Sequence, residues 1–529
     1  VPHSLLQLVD LDDDQLRRDL IAHPTVDRIV LTGSAETARS FRWWRAGLPL
    51  TAETSGRNAI VVTPSADLDL AVQDVVRSAF GRAGQQRSAC SLVVLVGSVG
   101  DSERFRRQLV DATRTLRVAW PDDPSAQMGP LIAEPEGTVR AGLTELAPGE
   151  SWLVQPVPLD DSGRLWSPGI RDGVRPGSDF HRTEHLGPVL GVMRAETLDQ
   201  AVAIQNDTDH GLAAGIHSLD PDEVADWIAG VRAGNLFVNR GTTGAVVGRQ
   251  PFGGWKRSSV GTGTKPGGPM DVATLGRWEP TPRTVHKSIQ LHGLPPRVTA
   301  VIEAARSGLS FEEFDQVRAG ALSDVRARES EFGVTHDPAG LVVERNVLRW
   351  RPQSVIVRHA EGAPAGDLVR VLVAATAARA DLLVSTARPL PGPLTQLLAS
   401  SRSPLRVVDH LVESDDEFLR RATTGDLFRP DWSSGDDAPQ DALEAVLAQG
   451  QDRPTHTAFG GPGARIRLIG GDPLALEEAL GAGVDVAIHD APVVEAGMIE
   501  MLPFLREQTV SITAHRFGDL DPDFAELHV

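Results

Sequence analysis

Apolar positions along this chain fall into short runs separated by helical stripes. Val26 to Val30 is a strand-length run that ends in the turn LTGSAET, and the stretch Glu36 to Arg45 behind it is compatible with a helix. From Asp67 to Phe80, residues Leu68, Val72, Val75, Val76 and Ala79 share one helical stripe, with Asp67 placed to cap it. The glycine-containing loop GRAGQQRSA then leads into the apolar strand Leu92 to Val96; Glu223 to Val231 predicts a helix and Asn235 to Asn239 a strand. Alternation of this kind predicts α/β architecture with largely parallel sheets.

The pattern lapses in WEPTPRTVHKSIQLH, from Trp278 to His292, where two prolines and scattered charges predict a boundary. Beyond it Arg297 to Arg328 predicts a helix. Ser354 to Val357, Asp381 to Ser385, Leu405 to Val408, Ile466 to Gly470 and Val484 to His489 then alternate with helical stretches, as in a second α/β domain. The acidic run SSGDDAPQD, Ser433 to Asp441, predicts a surface loop.

Composition narrows the function classes. With 71 acidic and 52 basic residues the formal net charge is -19, which argues against a nucleic-acid partner. The longest apolar runs, such as SLVVLVGSV, fall far short of the roughly 20 residues a membrane span needs. One cysteine in 529 residues excludes an internal disulfide framework and a multi-thiolate metal site, so no metal is expected and a cytoplasmic location is. The chain opens on Val1, with neither an initiator methionine nor a signal peptide, and is expected to be a fragment. It contains no tyrosine.

Several ordered segments resemble the aldehyde dehydrogenase superfamily. LTGSAET matches the turn before the helix whose N-terminus receives the NAD pyrophosphate, which implies Thr32, Gly33 and Ser34 as cofactor-binding residues. AETSGRNA, Ala52 to Ala59, is similar to the general-base segment, with Glu53 as the base. EHLGPVL resembles the segment whose glutamate, here Glu184, bonds the nicotinamide ribose; Leu186 replaces the aromatic residue beside the nicotinamide. The most specific match is NLFVNRGTTGAVVGRQPFGGWKRSSVG, Asn235 to Gly261. It resembles the L-glutamate γ-semialdehyde (1-pyrroline-5-carboxylate) dehydrogenases. That resemblance implies Gly244 and Ala245 as backbone donors to the aldehyde's far carboxylate, Ser88 as an assisting hydroxyl and Phe252 as packing for its methylenes.

The resemblance continues into the long bifunctional proline utilization A proteins, which add a C-terminal domain like an inactive dinucleotide-binding fold. Their terminal segment is echoed by LPFLREQTVSITAHRFG, Leu502 to Gly518, which in that family covers the aldehyde site. The implied organisation is a remaining part of the NAD-binding domain over 1–52, a catalytic domain over 53–240, an anchor loop and return over 241–278 and a linker over 279–292. A C-terminal aldehyde-dehydrogenase-like domain over 293–497 and a flap over 498–529 complete it. The fold expected is therefore a truncated Rossmann-like part with an α/β catalytic domain, followed by a second Rossmann-like domain. Relative to the family, an upstream proline dehydrogenase domain with its FAD, the start of the NAD-binding domain and the segment with the oxyanion-hole asparagine are absent. NAD, L-glutamate γ-semialdehyde, the upstream domain and a further copy of the chain are the partners implied.

One position departs from the pattern decisively. The family's nucleophile lies in Gly-Gln-x-Cys followed by Ser-Ala, and this chain reads Gly84, Gln85, Gln86, Arg87, Ser88, Ala89. A guanidinium stays protonated and cannot form the thiohemiacetal that precedes hydride transfer. Cys90, three residues on, would lie roughly 10 Å away on an extended backbone and face the other way. Arg87 and Cys90 thus both stand as candidates for the catalytic position, and a non-catalytic remnant or scaffold is the rival reading. His185 and His210 stand where close relatives often have tyrosine. Together with Arg87 and Leu186 they each correspond to a thymine-to-cytosine change at the first codon position, the pattern expected of an altered coding sequence.

Overall fold

The computed structural model describes residues 4–279, 290–400, 403–428 and 459–529. Most of the expected linker and the whole acidic run Ser433 to Asp441 lie outside the described residues.

The strands Asn58–Val62 and Cys90–Val96 pair in parallel at the middle of a nine-stranded sheet. Asn58–Val62 is buried throughout and Cys90–Val96 nearly so. A parallel strand covered on both faces reads as a continuous apolar run, which is why Leu92 to Val96 stood out in the sequence. From edge to edge the order is Glu344–Pro352, Leu505–Thr513, Asn235–Val238, Ala213–His217, Asn58–Val62, Cys90–Val96, Val189–Ala195, Gly169–Asp172 and Ser151–Val154. The two edge strands run antiparallel to their neighbours, and the strands between them are mutually parallel.

The helix Leu68–Phe80 packs on this sheet and buries Val72, Val75, Val76, Ala79 and Phe80. Its start is fixed by Asp67, whose carboxylate accepts from the N–H groups of Asp69 and Leu70. A small sheet of Ile29–Thr32, Leu50–Glu53 and Ser259–Val260 stands apart, with the helix Ala35–Trp44 leaving it behind the first strand.

The second large sheet is wholly parallel, in the order Arg406–Val412, Asp381–Thr386, Val355–His359, Ala464–Ile469, Val486–His489. The helix expected over Arg297 to Arg328 is two helices, Pro296–Ala305 and Phe311–Ala327. The break is local chemistry. Ser310 accepts from the Glu313 N–H while the Glu313 carboxylate accepts from the Ser310 N–H, so a new helix is nucleated after Gly308. Among the described residues no helix is long and apolar enough to cross a membrane.

The chain does not divide cleanly between the two sheets. Glu344–Pro352 and Leu505–Thr513, which flank the second sheet in sequence, both join the first. Leu505–Thr513 lies between Glu344–Pro352 and Asn235–Val238, and its Val510 and Ile512 are fully buried in the core of the first sheet. The end of the chain therefore completes the core begun by residues 59–96. Ile512→Ala is expected to lower stability by about 2–5 kcal/mol, whereas the exposed Val412→Ala stays within about 0.5 kcal/mol; equal midpoints for the two variants in urea unfolding would contradict this packing.

Candidate active site

Parallel pairing of Ile29–Thr32 with Leu50–Glu53 sets Thr32 opposite Glu53, and the Gly33 N–H donates to the Glu53 carbonyl at 3.2 Å. Ser34 caps the helix Ala35–Trp44 by accepting from the Thr37 N–H at 3.1 Å. The turn at residues 32–34 is thus attached directly to the strand that carries Glu53.

Opposite Glu53 is the loop of Arg87. Nη2 of Arg87 lies 3.1 Å from Oε2 of Glu53, and both side chains are largely withdrawn from solvent. The loop reaches this place through a turn in which Arg82 and Ala83 both take left-handed backbone angles. Gly84, at φ +67°, passes so close to residue 187 that a Cβ there would lie 2.1 Å from the Gly187 carbonyl oxygen. Only glycine fits, and the contact presses the Arg87 loop against the segment holding Glu184 and Leu186.

Glu184 accepts from the Gly56 N–H at 3.0 Å. Gly56 in turn abuts the Arg87 carbonyl, 2.4 Å from where a Cβ would be. Glu53, Gly56, Arg87 and Glu184 therefore form one contiguous group. Leu186 is partly exposed at φ +33°, an unusual angle for a side chain with a Cβ.

The anchor loop is tied to the same group. Thr242 donates to the Ser88 carbonyl at 2.9 Å, and its N–H donates to the Ser78 hydroxyl at 3.1 Å. Ser88 is buried, with its hydroxyl 3.1 Å from the Gln86 amide nitrogen. Gly244, at φ +85°, and Ala245 lie exposed beyond Thr242. Phe252 is half-buried, its N–H donating to the Pro266 carbonyl at 3.3 Å.

Cys90 is set apart from this group. It opens the strand Cys90–Val96 with its side chain buried in the core, and its thiol donates to the Leu92 carbonyl at 3.1 Å. Burial pushes the thiol up to about 12, so a thiolate is scarcely formed at neutral pH. The reason is position: Cys90 opens a strand covered on both faces, while Arg87 sits in the loop before it. This burial suits a core residue and speaks against Cys90, expected from the sequence as one catalytic candidate, as a nucleophile.

Burial raises the Glu53 carboxyl above its usual range, and the positive charges of Arg87 and Lys265 oppose the rise. Burial likewise raises Glu184, against the Gly56 N–H. Lys265 was missed by sequence reasoning although it lies only four residues past the strongest motif. It is buried, and its ammonium donates to Asn235 Oδ1 at 2.5 Å, the Pro251 carbonyl at 3.1 Å and Thr509 Oγ1 at 3.0 Å. The Lys265 N–H donates to Glu507 on the C-terminal strand. Burial moves Lys265 down and Glu507 up, each towards neutrality. Asn58 was also missed, though it stands within the base segment. Its amide donates to the carbonyls of Arg87 at 2.7 Å and Ala89 at 2.9 Å and fixes the loop. Glu507 had no local signal. His185 and His210 are largely buried, each with one ring nitrogen lacking a partner, and burial pushes both down to about 4. Among the described residues no group of His, Cys, Asp and Glu could hold a metal ion.

Residues 1–273 match the aldehyde dehydrogenase family, more than half of the chain. The chain belongs to that family. It is 43% identical to the solved proline utilization A of Corynebacterium freiburgense, in a match with a TM-score of 0.75 that covers 97% of this chain and 44% of that one. It is 34% identical over 281 residues to the 1-pyrroline-5-carboxylate dehydrogenase of Geobacillus sp. (strain WCH70) and 32% identical over 281 residues to that of Bacillus subtilis. Each match covers 51% of this chain and 53% of the relative, so the chain spans about half the length of these aldehyde dehydrogenases. A thiol reagent such as dithionitrobenzoate is expected to leave Cys90 unmodified in the native family member at pH 8 and to react fully once the protein is unfolded in guanidinium; rapid native labelling would show that the thiol is accessible after all.

Proposed function

We propose that this chain carries the aldehyde site of an NAD-dependent L-glutamate γ-semialdehyde dehydrogenase of proline catabolism, and that Arg87 closes its covalent route of oxidation. The observation that supports this reading is the ion pair of Arg87 with Glu53 at 3.1 Å. In the family pattern the nucleophile and the base flank the reacting carbon. Here a guanidinium stands at the first position and holds the second.

The remaining residues suit the same reaction. Glu53, raised by burial, is a stronger base than a free carboxylate. Gly244 and Ala245 would offer N–H donors to a carboxylate, with the Ser88 hydroxyl assisting and Phe252 packing along the methylenes. Thr32, Gly33 and Ser34 at the start of the helix Ala35–Trp44 would face the NAD pyrophosphate. Glu184, an acceptor when ionised, fits ribose hydroxyls, with Leu186 at the nicotinamide. NAD, when bound, supplies the hydride acceptor. A proline dehydrogenase domain carrying FAD in the same longer protein would supply the aldehyde, in keeping with the Corynebacterium relative. The ion pair also favours a second reading, a family member retained for packing or partner binding without turnover.

The deciding assay measures NADH formation from the semialdehyde by the parent protein and by Arg87→Cys, each also within the full-length protein. No turnover is expected with Arg87 and measurable turnover with cysteine, greatest at full length. Equal rates from both would refute the assignment of position 87. On the cysteine background, Glu53→Ala is expected to slow thioester hydrolysis by about 10²–10⁴. Because Arg87 lowers the Glu53 carboxyl, its removal leaves burial less opposed. The rise of activity with pH should then fall at higher pH in Arg87→Cys than in Arg87→Cys bearing an added cation, such as exogenous guanidinium; a limb indifferent to guanidinium would contradict that coupling.

A further inference from the structure

The face of the second sheet that meets the C-terminal strand is unusually cationic. Arg465 and Arg467 stand two residues apart on Ala464–Ile469 and so share a face, and the parallel register sets Arg467 opposite His489. Arg506, the second residue of Leu505–Thr513, comes in from the first sheet. Arg465, Arg506 and His489, but not Arg467, line a cavity of about 50 Å³ together with the glycine-rich stretch at residues 261–264. That volume exceeds the roughly 10–15 Å³ a single water requires.

The charges there are poorly balanced. Arg467 has a carboxylate partner, Glu500, at 2.9 Å. Arg465 donates to the carbonyls of Leu502, Pro503 and Leu505 at 3.1, 2.9 and 2.7 Å and has the Glu507 carboxylate nearby as its one opposing charge. Arg506 donates to the Gly463 carbonyl, and its Nε is buried with no partner, as are Nε2 of His489 and Oγ1 of Thr264. Glu53 and Asp485 also line the cavity, but they are paired with Arg87 and Arg257. Glu507 accepts from the Lys265 N–H through one oxygen, while its Oε1 is buried without a partner and its charge acts on Arg465. Burial and mutual repulsion with Arg465 and Arg232 push Arg506 well down, and burial, with the three neighbouring guanidiniums, does the same to His489. Buried guanidiniums without a counter-charge are costly, and a guanidinium fork matches an oxyanion bidentately.

We propose that this cavity, where the C-terminal strand meets the second sheet, binds a small oxyanion, a free phosphate or a carboxylate group, through Arg465 and Arg506. The anion supplies the counter-charge that Arg506 lacks, and it joins the two sheets through one arginine from each.

The test titrates the 529-residue chain with inorganic phosphate, and separately with acetate, by calorimetry against sodium chloride of matched ionic strength. One saturable site is expected. Arg506→Gln should weaken it at least tenfold, and Arg388→Gln, whose guanidinium pairs with Glu361 on the surface, should leave it unchanged. Preference for phosphate or for acetate assigns the source of the oxyanion. Binding of neither, or equal binding by the parent and Arg506→Gln, overturns the proposal. Should Arg506→Gln fail to fold, a crystal of the unaltered chain soaked in selenate decides: selenium between Arg465 and Arg506 is expected, and its absence from the cavity overturns the proposal.

Discussion

The constraint on which this structure depends is the closure of one edge of the large sheet by residues from the far end of the chain. Asn235–Val238 would otherwise present an open row of N–H and C=O groups beside the anchor loop. An open parallel edge is a site of association rather than a stable boundary. Leu505–Thr513 pairs with it and is itself covered by Glu344–Pro352. Closing the edge also brings Glu507 and Thr509 to Lys265, and Lys265 to the neighbourhood of Glu53. The polar environment of the proposed base is therefore assembled from residues more than 450 positions apart.

That distance explains what the sequence could and could not convey. The helix Leu68–Phe80 and its Asp67 cap were legible because periodicity and capping are local. So was the turn that joins Thr32 to Ser34, and so was Glu53. Glu344–Pro352 was not, because its alternation is interrupted by charged and polar residues whose partners lie elsewhere; Arg349, for example, donates to Gln508. The break at Ser310 was missed for a different reason. Its capping box was present in the letters Ser310 and Glu313 but was overridden by the helical character of both flanks.

At the site, motif order identified the positions that converge, while electrostatics came only with the fold. Nothing local distinguishes Arg87 from a surface arginine. Its proximity to a largely withdrawn carboxylate makes it one half of an ion pair with Glu53, the proposed base. Cys90 shows the converse: three residues along the chain are enough to move a side chain from the loop into the core, where a thiolate is strongly disfavoured.

The most direct measurement is the intact mass of the protein after incubation with L-glutamate γ-semialdehyde and NAD, followed by acid quench and peptide mapping. Covalent chemistry through position 87 predicts no adduct on the parent chain and an acyl adduct on residue 87 of Arg87→Cys, accumulating further when Glu53 is alanine. An adduct on Cys90 of the parent chain would contradict the account.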